Sequence, residues 1–176
     1  MVFVNSMSDL FHEELSFDFM RDCFDVMKRA DWHTYQILTK RPQKMLEFTR
    51  RYGRIPYHIW LGTSVELAEY KWRIDVLRQV DALVRFVSFE PLLGPLGELD
   101  LTGIAWAIVG GESGPKHRPI VPDWVREIRD QCLQSDVRYF FKQWGGPTPK
   151  SRGRLLDGRT WDEYPEAVPL APTLQS

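Results

Sequence analysis

Three carboxylates, three cations and one glycine cluster are the residues of this chain whose types and spacing could do chemistry. Each of them closes a short apolar run. Glu66 follows Ile59 to Val65, Glu90 follows Val84 to Phe89, and Glu112 follows Trp106-Ala107-Ile108-Val109 and the pair Gly110-Gly111. Carboxylates gathered across a barrel mouth serve glycoside hydrolysis or metal binding. The structural alternative is equally open: Glu66 suits the first turn of a helix, and Glu90 can pair with a neighbouring Lys or Arg. Lys40 and Arg41, just before Pro42, suit a carboxylate or phosphate at a helix start, or form a solvated pair of charges. Lys142 and Trp144 combine a cation with a stacking surface.

In Gly110-Gly111-Glu112-Ser113-Gly114 the glycines could bring backbone close to a ligand while Glu112 accepts an amine or hydroxyl. A tight turn is the competing reading. The dinucleotide fingerprint is absent, because neither the G-x-G-x-x-G spacing nor an immediately following helix is present. His12, His33, His58 and His117 share no short metal-ligand spacing with one another or with Cys23 and Cys132, so no metal ligands are assigned. Ser64 and Ser88 lack the Gly-x-Ser-x-Gly elbow, and no catalytic residue is named.

These groups need a scaffold that brings strand ends together. Six apolar runs begin at Val2, Tyr35, Ile59, Val84, Trp106 and Tyr139, and helix-like stretches separate most of them. A parallel sheet of βα units places the C-terminal ends of all its strands on one edge, so the polar clusters would converge there. Phe17, Met20, Phe24 and Met27 recur at helical spacing after a capping Ser16. A second helix starts at Pro42 and ends near Tyr52 before Gly53. A third is expected from about Glu66 to Val80, burying Leu67, Tyr70, Ile74 and Leu77 with Glu69, Lys71, Arg73 and Arg78 mostly outside. Leu92 to Gly103 reads as a loop, and a fourth helix runs from about Pro122 to Ser135. The barrel domain is expected to span residues 1–146. Residues 147–176 would form a hairpin turning at Asp157-Gly158 and an extended tail.

The 176 residues suit one core, and a hydrophobic share of 43% excludes a disordered chain. A net charge of −1 gives no global case for nucleic-acid binding. No apolar stretch approaches the ~20 residues of a membrane span, and no signal peptide is visible, so a cytoplasmic location is expected. Cys23 and Cys132 are too few for a disulfide framework and read as packing residues.

Phe3 to Phe11, Leu38 to Pro42, Trp60 to Glu66, Phe86 to Pro95, Val109 to Gly114 and Phe140 to Gly145, in that order, resemble an uncharacterised family common in bacteriophages and prophages. Its members look like radical S-adenosylmethionine proteins and are distantly similar to spore photoproduct lyase. The resemblance extends to about Glu163. It implies an α/β fold, a partial (β/α) barrel of mainly parallel strands that lacks its first βα unit. Related longer proteins carry, ahead of the segment equivalent to Val2, cysteines ending in a Cys-x-x-Cys-Tyr pattern that would hold a 4Fe-4S cluster. Cys23 and Cys132 cannot supply that set, so the expectation is a truncated form, inactive in radical chemistry by itself.

By the same resemblance Gly110, Gly111, Glu112 and Ser113 would contact S-adenosylmethionine, with Asn5, Ser6, Thr63, Ser64 and Glu90 lining the same mouth. Two other functions stay open. One is a non-catalytic module binding nucleic acid or another partner through Lys40, Arg41, Lys142 and Trp144, and the other is a carboxylate- or metal-dependent hydrolase. The strand at Val2 would lie at an exposed edge, a route to self-association.

Overall fold

The computed structural model of the protein describes residues 1–4, 8–149 and 151–166. Six strands, β1 (Val2–Val4), β2 (Tyr35–Thr39), β3 (Ile59–Ser64), β4 (Arg85–Phe89), β5 (Trp106–Gly110) and β6 (Arg138–Gln143), lie side by side in chain order. Every neighbouring pair is parallel, and the sheet curls into a half-barrel. Strands added always on the same side, through crossovers of one hand, put every helix on one face. The other face is left concave.

Alternation along the strands divides the side chains accordingly. Ile37, Leu61, Val87, Val109 and Phe141 join the main core with Met20, Phe24, Met45, Phe48, Ile74, Leu77, Val125 and Ile128 of the helices. Trp60, Val84, Phe86, Trp106 and Ile108, with Leu38, Ala105 and Phe140 against them, form a separate cluster to which no helix contributes. A two-residue period fixes this split, since a slip of one position would exchange the faces.

Helix α1 (Phe17–Arg29) starts where expected, its first turn capped by Ser16 Oγ accepting from Phe19 N at 3.2 Å. Helix α2 (Pro42–Tyr52) opens on proline and closes on Gly53, and α4 follows at Pro122–Gln134. The third helical segment departs from expectation. Val65 and Glu66 are buried, Leu67 is extended, a single 3-10 turn covers Ala68–Tyr70, and α3 is only Trp72–Leu77. Arg73, expected mostly outside, is buried. Its guanidinium is drawn inward by the Ser64 carbonyl at 2.9 Å and the Glu66 carboxylate at 3.1 Å, which outweighs the helical period. Leu92 to Gly103 forms no helix.

The two sheet edges differ. The β6 edge is covered by the chain itself: Phe141 N donates to the Trp161 carbonyl and Glu163 N to that of Tyr139. Leu156 and Trp161 pack into the main core, and Asp157-Gly158 makes the expected turn, with φ of 53° and 80°. At the other edge Val2 and Phe3 of β1 are exposed. Among the described residues no helix is long and apolar enough to cross a membrane.

Candidate functional site

The parallel sheet does collect the polar clusters at its C-terminal rim, and there they mostly engage one another. Asp9, after β1, accepts from Thr39 Oγ1 at 2.8 and 2.9 Å and pairs with Arg41 at 2.9 Å. Lys40 pairs with Glu66, which also meets Arg73. Thr63, fully buried, donates from Oγ1 to the Thr39 carbonyl, and the Ser64 carbonyl is occupied by Arg73. The first contact ties β3 to β2, and the second ties α3 to β3. Asn5 and Ser6 lie outside the described residues.

The glycine cluster also has a structural employment. Gly111 N donates to the Gln143 carbonyl, Gly146 N to that of Glu112, and Gly114 N to that of Gly146, so the two loops continue the β5–β6 ladder. A Cβ on Gly111 would collide with the Trp144 carbonyl. Ser113 Oγ accepts from Gln143 Nε2 at 2.8 Å. Glu112 is clamped by Arg118, through its backbone N–H at 2.8 Å and its guanidinium at 2.9 and 2.8 Å. Those hydrogen bonds hold the Glu112 carboxyl down at about 2. Trp144 is half-buried against Phe141, and its indole N–H donates to the Leu155 carbonyl.

One pair faces differently. Glu90 directly follows β4 and Lys142 lies in β6, with β5 between them, yet their side chains meet at 2.8 Å on the concave face. Gly110 makes this possible: a Cβ there would lie 3.2 Å from the Glu90 carboxyl carbon. The pair borders a cavity of about 300 Å³ whose lining includes Phe3, Leu38, Ser88, Trp106, Phe140 and Tyr164. Trp106 is the hub of its wall, with ring centroids 5.2 Å from Tyr164 and 6.0 Å from Phe140 and its N–H held by the Glu163 carbonyl. Trp60, on the same face, keeps a buried indole N–H with no acceptor among the described residues. The strand alternation that puts Trp106 and Phe140 on one face with Lys142 was legible, but sequence reasoning did not use it to place the aromatics beside the charges. Arg73 and Arg118 were missed as partners; Arg118 lies only six residues past Glu112, within a turn bounded by Pro115 and Pro119.

Set against protein families, residues 1–165 match the model of one described as a protein of unknown function, DUF5131. The chain belongs to that family. No curated protein and no solved structure matches it. For this DUF5131 member the fit of an iron-sulfur cluster can be judged from its own thiols. Cys23 lies on α1 beside the β1 edge and Cys132 on α4 beside the β6 edge, so the two cannot converge. Burial raises both thiols, Cys132 to about 12, which disfavours the thiolate a cluster requires. These residues do not fit the cluster.

Proposed function

We propose that the concave face of the half-barrel binds S-adenosylmethionine, as the resemblance to radical S-adenosylmethionine proteins implies, and that this chain alone carries out no radical chemistry. The observation that carries the reading is the Glu90–Lys142 pair laid over Gly110 at the rim of an aromatic cavity. Trp106, Phe140 and Tyr164 offer ring faces to a purine. The two opposite charges match the ammonium and carboxylate of an amino acid, each exchanging its present partner for one on the ligand. The free Trp60 N–H supports a ligand acceptor on the same face. Glu112, already satisfied by Arg118, is a weaker choice than Glu90. Lys40, Arg41 and Lys142 each hold a carboxylate, which leaves the nucleic-acid reading of that rim with little support. The uncovered β1 edge favours self-association within the same reading.

Calorimetry with S-adenosylmethionine and S-adenosylhomocysteine tests the site. Wild-type protein is expected to bind both, and Glu90→Ala and Lys142→Ala each to weaken binding about tenfold, the usual scale of a charge-assisted contact. No heat at millimolar ligand, or affinity unchanged in both variants, would overturn the assignment.

A further inference from the structure

The opposite rim of the sheet, where the strands begin and the helices end, carries a second and different set of groups. Lys28 and Arg29 close α1, and Arg54 follows α2. All three are exposed, and none has an ion-pair or hydrogen-bond partner for its side chain among the described residues. Lys28, Arg54 and Arg85 line a groove of about 730 Å³ with Tyr57 and one carboxylate, Asp81. Arg85 is fixed in it by the carbonyls of Gly103 and Val80, both at 2.8 Å.

Beside the groove runs a chain of rings: Trp32 to His33 at 5.9 Å, His33 to Tyr35 at 6.0 Å, Tyr35 to His58 at 6.1 Å, and His58 to Tyr57 at 5.2 Å. Its two ends are open, Tyr57 being 41% exposed and Trp32 75%, the largest exposure among the large apolar side chains of the described surface. Trp32 follows Lys28 by four residues and Arg29 by three, and its ring is open to a stacking partner. Cations that track a phosphate backbone, interleaved with exposed ring faces, are the combination that binds single-stranded nucleic acid without base-specific contacts. Double-stranded ligands hide their base faces and would use only the charges.

We propose that this N-terminal rim binds single-stranded nucleic acid, the backbone lying along Lys28, Arg54 and Arg85 and bases stacking on Trp32 and Tyr57. The site is separate from the concave cavity and does not depend on its ligand. Fluorescence anisotropy of the full chain with labelled twelve-nucleotide oligo-dT and oligo-U, over a salt series, is the test. Binding of either polymer, tighter than of a duplex of equal length, is expected, and which one binds better identifies the ligand as DNA or RNA. Three phosphate contacts predict a slope of about −2 for log K against log salt. Lys28→Glu with Arg54→Glu should weaken binding at least tenfold and flatten that slope, Trp32→Ala should weaken it about tenfold, and Lys142→Ala should leave it unchanged. Ultraviolet crosslinking of the wild-type protein supplies an answer that needs no variant: adducts at Trp32 or Tyr57 support the site. No binding at low salt, affinity within twofold of wild type in the charge-reversed variant, or adducts confined to Trp144 or Tyr164 would overturn it.

Discussion

Four cations at the C-terminal rim and three at the N-terminal rim are treated in opposite ways. At the C-terminal rim Lys40, Arg41, Lys142 and Arg118 are each matched to a carboxylate, Glu66, Asp9, Glu90 and Glu112. At the N-terminal rim Lys28, Arg29 and Arg54 have no such match among the described residues, and the end rings Trp32 and Tyr57 are exposed. A paired charge is oriented but occupied, so it can serve only a ligand that replaces both partners at once. An unpaired one is free to neutralise a polyanion. The difference teaches that the count of charges near a strand end says little about binding until their partners are known.

Breaking the paired rim at its buried member should give the largest effect. Glu66 is 6% exposed and Arg73 10%, whereas Lys40 is 59% exposed. Removing one partner of a buried ion pair leaves an uncompensated charge and costs roughly 3–5 kcal/mol. Arg73→Ala should therefore lower urea stability by about 3 kcal/mol, the lower end because Lys40 remains, while Lys40→Ala should cost about 1 kcal/mol or less. The double change Glu66→Gln with Arg73→Leu should recover over half of the loss. Equal costs for the Arg73 and Lys40 variants would show that burial does not govern this pair.

Arg73 also marks where the sequence stops being readable. α1 was legible because its signals are local: Ser16 caps it, and Met20, Phe24 and Met27 share a face. The same helical spacing assigned Arg73 to solvent. Its actual position depends on Glu66, across an extended residue and a 3-10 turn that spacing does not reveal. The convergence of strand ends was legible from the succession of apolar runs, because a parallel sheet permits little else. The concave pair was not: Glu90 and Lys142 are 52 positions apart, and their meeting needs Gly110 between them. Sequence alone leaves Gly111 open to a close-lying ligand or a tight turn, and three backbone hydrogen bonds join the loops there.

A middle-sized effect should follow from that close approach. In Gly111→Ala the new methyl would meet the Trp144 carbonyl, and neither loop can retreat without losing its ladder bonds. Overpacking of this kind costs about 1–3 kcal/mol. Chemical denaturation measures the loss, and hydrogen exchange should show faster opening at Gly146, whose N–H bonds the Glu112 carbonyl. Unchanged stability and exchange would mean that the loops are not locked, and the contrast between a fixed rim and an open one would weaken.

The smallest expected effect concerns acid. Arg118 holds the Glu112 carboxyl at about 2, against an ordinary value of 4.5. In the folded protein the group binds its proton more weakly than in the unfolded chain. As pH falls below about 4.5 the unfolded state therefore takes up the proton first. The stabilisation from this pair is full above that pH and is lost as pH approaches 2. Carbon-detected nuclear magnetic resonance of the Glu112 carboxyl should give a midpoint near 2 in the wild type and one close to 4.5 in Arg118→Ala. The same Arg118→Ala change should flatten the acid limb of the stability curve, while Lys28→Ala and Arg54→Ala should leave that limb unchanged, since no carboxylate among the described residues pairs with either cation. A wild-type midpoint above 4 would show that Glu112 is not committed to Arg118. Glu112 would then rejoin Glu90 as a candidate for the amino group of a ligand at the mouth, and the paired rim would have one opening more than its geometry assigns.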